Sequence, residues 1–184
     1  MLCLAAARKS LLCFLGALAA TSATTITSAE WTAVINMAGR QRMLSQKMSK
    51  EFLLVAKGID AATNKQNLQS TMNLYNASLI KLVSGSTADS IPAPPTTAIA
   101  SQLATVEGLW NTYSALLTSN VDLSPIPSSA LASVAQQSVP ILTEMNAAVG
   151  MYATAAGSVA PGAVVNIAGR QRMLSQKMSK EFLL

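Results

Sequence analysis

Ala38 to Leu54 recurs without a single change as Ala168 to Leu184, 130 residues further on. The likeness reaches upstream to Asn36 and Asn166, with Ile35 replaced by Val165 and Met37 by Ile167. One segment repeated around a long unrelated spacer means either tandem domains or two equivalent helices serving one site. The repeat also concentrates the charge. Each copy holds two arginines, two lysines and one glutamate, a net +3, so with the chain at +5 everything outside the copies sums to −1. A basic face spread along the chain with stacking aromatics, the mark of a nucleic-acid binder, is therefore not expected.

On a helix advancing about 100° per residue, Val34, Met37, Ala38, Leu44, Met48, Phe52 and Val55 make one broad apolar face, which must be core. Arg40 and Lys47 share one flank. Arg42 lies on the opposite flank among Ile35, Ala38, Ser45, Gln46, Ser49 and Leu53. No acid stands three or four residues from either arginine, so neither has a partner on its own helix. Two readings follow: an ion pair with a carboxylate of another helix, for which Glu107 and Glu144 are available, or an anion site. A guanidinium offers a planar fork of donors to an oxyanion, and serine or glutamine adds more. Gly39 costs a helix interior about 1 kcal/mol relative to alanine, which suggests a close helix approach, as a site shared by two such helices would need.

The rest of the chain reads as helices separated by glycine and proline. Residues 1–29 have the form of a secretory signal: Arg8-Lys9, an apolar run from Leu11 to Ala20, and a small-residue cleavage site at Thr21-Ser22-Ala23 or Thr27-Ser28-Ala29. The run is shorter than the roughly 20 residues of a membrane span. Both cysteines, Cys3 and Cys13, lie in it, so the mature chain of about 155 residues would have no disulfide; with no histidine either, neither a metal site nor another cofactor is expected. Apolar stripes predict helices over about 30–57 (N-cap Ser28, stop Gly58), 60–83 (stop Gly85), 97–119 and 129–156, with Pro140 kinking the last or opening its ladder. Residues 86–97, with three prolines, read as an extended connection. Asn76-Ala77-Ser78 has sequon form but reads as an ordinary helix face. The expected fold is all-α: an up-and-down four-helix bundle over 30–158 and, over 159–184, an additional helix that begins a second copy cut short. That fifth helix, from about Val165, carries the apolar face of the first without its three covering helices, so it should pack on a neighbouring surface, dimerise or be poorly ordered.

The motif Asn36-x-Ala38-Gly39-Arg40-Gln41-Arg42-Met43-Leu44-Ser45-Gln46-Lys47-Met48 resembles the opening helix of PilJ-type, NarX-like sensor domains of chemotaxis transducers of type IV pili, relatives of nitrate/nitrite sensor kinases. The run Met145 to Val149 is similar to the fourth helix of that family. In the nitrate sensors the matching helix, the P-box, pairs with its copy across a homodimer, and an arginine holds the anion between them. By residue match that arginine is Arg42, with Lys47 at the place of a second basic residue. Arg40 and Gln41 belong to the pilus-transducer version and have no P-box counterpart. The resemblance thus implies a small-anion site from Arg42, Ser45, Gln46, Lys47 and Ser49, with Arg172 and Lys177 from the second copy.

The function expected is an exported ligand-sensing module, periplasmic or extracellular and in some settings membrane-associated. It would bind a nitrate- or nitrite-like oxyanion for signal transduction or chemotaxis and work through a membrane receptor or signalling partner. The alternative is an interaction bundle docking a partner protein through its repeated basic helix. A membrane-surface helix is disfavoured by the nearly all-round apolar pattern of the motif. An enzyme is not expected: no histidine activates Ser45 or Ser49, and Ser49 and Lys50, adjacent on a helix, point apart.

Overall fold

Thr27 and Glu30 begin the first helix with a reciprocal pair of hydrogen bonds. The Thr27 hydroxyl accepts from the Glu30 amide at 3.3 Å, and the Glu30 carboxylate accepts from the Thr27 amide at 2.8 Å. This capping box holds the Glu30 carboxyl below its ordinary range and moves the N-cap one residue upstream of the expected Ser28. In the computed structural model the described residues are 25–184. Most of the expected signal, with Arg8-Lys9, both cysteines and the first cleavage site, lies outside them.

Five helices follow: α1 (Ser28–Ala56), α2 (Ala61–Ser84), α3 (Thr97–Asn120), α4 (Ser128–Ala156) and α5 (Gly162–Leu183). Gly85 ends α2 at φ +79, where a Cβ would stand 2.9 Å from the Ala93 backbone nitrogen, so only glycine fits that turn. The connection to α3 is not simply extended. It folds a 3-10 turn at Thr87–Asp89 and pairs Ser86 with Ile91, because the Lys81 ammonium and the Ser86 hydroxyl hold Asp89 in place. Helix α4 is continuous through Pro140, whose ring nitrogen has no hydrogen to donate to the carbonyl four residues back.

Helices α1 to α4 make the expected up-and-down bundle, α1 lying against α2 and α4 and α3 against α4. Val34, Ala38, Leu44, Met48 and Phe52 enter the core, as their stripe requires, and meet Tyr75, Leu103, Tyr113, Ile141 and Met145. Trp110 stacks at a tilt on Tyr75, ring centroids 4.5 Å apart, and its indole N–H donates to Asn76 Oδ1 at 2.9 Å. The side-chain oxygen of Asn76 is thus engaged within the bundle.

The fifth helix starts three residues earlier than expected, at Gly162, and packs on a neighbouring surface, but not by the apolar face from which that was expected. It lies along α1 on the outside of the bundle, with a smaller contact to α4. Residues that are core in α1 are surface in α5: Phe52 is fully buried and Phe182 is 91% exposed; Met48 is fully buried and Met178 is 70% exposed. Helix α5 therefore docks by its other face, through Gly169, Met173 and Lys180.

Candidate functional site

Equivalent positions of the two motif copies meet each other. A Cβ built on Gly169 would stand 3.8 Å from Gly39 Cα, 3.3 Å from Arg42 Nη2 and 3.8 Å from Arg172 Nη2. Both guanidinium tips therefore converge on one point of the seam where the backbones touch. The cross-helix hydrogen bonds are nearly reciprocal: Arg42 Nη2 donates to the Asn166 carbonyl at 3.2 Å, and Arg172 Nη2 donates to Asn36 Oδ1 at 2.9 Å. Asn36 and Asn166 are themselves equivalent, so α1 and α5 run parallel and in register about a local two-fold axis. Glycine at both crossing positions removes the side chains that would hold the helices apart.

Arg42 is 1% exposed. Its Nη1 donates to Asn146 Oδ1 of α4 at 2.8 Å, and its Nε has no hydrogen-bond partner. Burial, and then the charges of Arg170 and Arg172, hold its pKa below the ordinary arginine value. Among the described residues the ion pairs are Lys47–Glu51, Lys65–Asp122, Lys81–Asp89 and Lys177–Glu181, none of which includes an arginine. The reading of Arg42 as half of an interhelical salt bridge is overturned. Glu144 accepts instead from Gln102 at 2.8 Å, and Glu107 is exposed.

Of the residues read from the motif, the structure brings Arg42 and Arg172 together and sends others elsewhere. Lys47 faces α2, paired with Glu51 and donating to Thr71 Oγ1 at 2.7 Å; Lys177 repeats the pairing with Glu181. Ser45 is buried beside Arg42 but donates to the Arg42 carbonyl at 2.9 Å. Gln46 donates to the Ser138 carbonyl at 3.3 Å. Ser49 donates to the Ser45 carbonyl at 3.0 Å and shares a 2.7 Å hydrogen bond with the Tyr113 hydroxyl. Gln46 and Ser49 thus tie α1 to its own bundle, while the hydrogen bonds of Ser45 stay within α1. Arg40 also faces α2, donating to Ser78 Oγ at 3.0 Å.

Asn36, Asn146, Asn166 and Arg170 were missed. The two asparagines of the repeat were visible as a pair, since they are identical in both copies; Asn146 stood in the run that resembles the family's fourth helix, with nothing to aim it at Arg42. Arg170 has no counterpart of Ser78 to hold it and lines a cavity of about 220 Å³ with Leu142, Thr143, Asn146 and Met173. Of three larger cavities, those of about 610 Å³ at the turn before α3 and about 490 Å³ between α3 and α4 contain no basic residue, and one of about 400 Å³ beside Gly58 is lined by Lys57 and Lys65 but by no arginine. Lys180 adds another cation to the seam, 3% exposed and donating to Ser138 Oγ at 3.1 Å; burial lowers its pKa. Buried cations without carboxylates are costly.

The family model "Type IV pili methyl-accepting chemotaxis transducer N-term" matches residues 24–138. The methyl-accepting chemotaxis protein McpN of Pseudomonas aeruginosa is 33% identical over 125 residues, covering 68% of this chain and 23% of McpN, so the chain spans under a quarter of that protein's length. A solved structure, the ligand-binding domain of the P. aeruginosa nitrate receptor McpN, is 31% identical with a TM-score of 0.61, covering 67% of this chain and 96% of that domain.

Proposed function

The chain belongs to the family of type IV pili methyl-accepting chemotaxis transducer N-terminal domains, sensor modules and not enzymes, and on that premise we propose that it senses a small oxyanion, nitrate first among them, held between Arg42 and Arg172. The observation that carries this reading is the convergence of two guanidiniums at Gly169 with no carboxylate beside them. An anion there would draw on two forks of donors and relieve their mutual repulsion. The likeness to the ligand-binding domain of the nitrate receptor McpN agrees with that chemistry. Asn36, Asn146 and Asn166 orient the arginines, and the cavity at Arg170 gives the anion its approach. Lys47, Ser49 and Lys177 support the helices that carry the site.

Export to the periplasm and signalling through a membrane-bound partner are part of the same proposal. Cleavage after Ala23 would leave the Thr27–Glu30 capping box whole, whereas cleavage after Ala29 would remove Thr27. No helix among the described residues is long and apolar enough to cross a membrane. The second reading, an interaction bundle, draws on the uncovered apolar face of α5 at Phe182 and Met178.

Thermal unfolding in nitrate, nitrite, sulfate and chloride at fixed ionic strength tests the proposal. An anion at 100-fold its Kd stabilises the protein by about 2.7 kcal/mol through linkage. Nitrate should give that rise in the wild type, little in Arg42→Ala or Arg172→Ala, and most of it in Arg40→Ala. Equal responses to all four anions, or an unchanged response in Arg42→Ala, would leave the interaction bundle as the better account.

A further inference from the structure

We infer that α5 fills, within one chain, the seat on α1 that the α1 helix of a second copy would otherwise take, so that a single chain makes the whole two-arginine site and binds one anion as a monomer. The anion count rests on the function proposed above; the seating does not.

The two helices are identical where they cross at Gly39 and Gly169. Helix α5 recognises α1 through Gly169 against Gly39, Arg172 against Asn36, and the Asn166 carbonyl against Arg42. Every one of these groups is present in α1 as well, at the equivalent position, and residues 38–54 and 168–184 are the same sequence. Whatever chemistry seats α5 on α1 would therefore seat one α1 on another. The docking face of α5 is also separate from the face that α1 uses in its own core: Met173 and Lys180 are buried at the seam while Phe182 and Met178 point to solvent. An α1 already committed to its bundle thus has this second face free to offer. The residues between α4 and α5, 157–161, are few, and a tether that short holds α5 at an effective concentration on the order of millimolar. At micromolar protein the internal helix outcompetes a second chain.

Gly169→Leu separates the two pairings. It adds a branched side chain where a Cβ alone would already stand 3.3 Å from Arg42 Nη2 and 3.8 Å from Gly39 Cα, and leaves Gly39, and so the seat itself, untouched. Light scattering at micromolar concentration should give the mass of one chain for the wild type and of two for Gly169→Leu, with hydrogen exchange showing α5 protected in the first and unprotected in the second. Gly39→Leu/Gly169→Leu, which blocks both pairings, should return to one chain with helical content retained. Calorimetry with nitrate should find one site per chain in the wild type and one per two chains in Gly169→Leu. A dimeric wild type, or a monomeric Gly169→Leu, overturns the inference. A monomeric wild type that takes up no nitrate overturns the proposed function and leaves the seating intact.

Discussion

Arg42→Met should make the anion-free protein more stable, the reverse of what removing a buried, hydrogen-bonded side chain usually does. The wild-type guanidinium is 1% exposed, has no carboxylate, and lies near two further arginines. A charge so placed carries a desolvation penalty of several kcal/mol. Against it stand two hydrogen bonds, at 2.8 Å and 3.2 Å, charge-assisted and contributing about 1.5–3 kcal/mol each at best. Asn146, whose oxygen accepts the shorter, is exposed and can turn to water. Methionine keeps the length of the side chain and gains about 2 kcal/mol from apolar burial. The balance favours the variant by about 2 kcal/mol, within the range seen when buried charges give way to apolar groups. At roughly 2–4 °C per kcal/mol for a chain of this size, that is about 4–8 °C in Tm. In nitrate at 100-fold its Kd the wild type should gain about 2.7 kcal/mol and the variant nothing, so the order of the two melting curves inverts. Calorimetric scans in a zwitterionic buffer, with and without nitrate, read this directly. A variant that melts several degrees below wild type without anion would refute the reasoning and make Arg42 a fastener between α1, α4 and α5.

Lys180→Met should stabilise the docking of α5 at neutral pH, and the advantage should shrink as pH rises. Burial lowers the folded-state pKa of Lys180 below its ordinary 10.5, so between the two values the unfolded chain binds more protons and wild-type stability climbs with pH; urea titrations of both proteins from pH 7 to 10 measure the difference. Ser49→Ala should cost about 1–3 kcal/mol by stranding the buried Tyr113 hydroxyl, with most of it recovered in Ser49→Ala/Tyr113→Phe; nitrate stabilisation unchanged in both would separate Ser49 from the site, and its loss would put Ser49 back in it. Thr27→Ala, which breaks the capping box, should lower stability by about 1 kcal/mol, read as a shift in urea midpoint with an unaltered slope.

Helix identities were legible because each helix buries one stripe, and a stripe is written in spacing alone. Thr97 as the first residue of α3 and Ala156 as the last of α4 fall where the glycine and proline punctuation put them. The N-cap slipped from Thr27 to Ser28, although Thr27 and Glu30, three apart, already had the capping-box form. The lack of an acid within a helical turn is a local fact, but it held for Arg40 as well as Arg42, and the resemblance to the P-box was what singled out Arg42. The pairing of Lys47 with Glu51 was as local, four residues apart on one helix face. Asn146 was legible only as part of a run resembling the family's fourth helix: periodicity says which face of α4 is apolar, not that its rim meets Arg42. Nor could the pattern of α5 choose among three fates, since an apolar stripe records the need for a cover and not the face by which the helix is held.

That same stripe makes the protein its own control experiment. Residues 38–54 and 168–184 share every letter and both are helical, yet Phe52 is sealed in the core and Phe182 stands 91% exposed. Intrinsic helix propensity is matched residue for residue between the twins, although Phe52 lies inside α1 and Phe182 in the last turn of α5. Phe52→Ala carries the full loss of a buried aromatic, about 3–5 kcal/mol, whereas Phe182→Ala changes the same letters and almost none of the contacts. Subtracting one twin from the other, position by position, isolates what surroundings contribute to a side chain whose own chemistry is held constant.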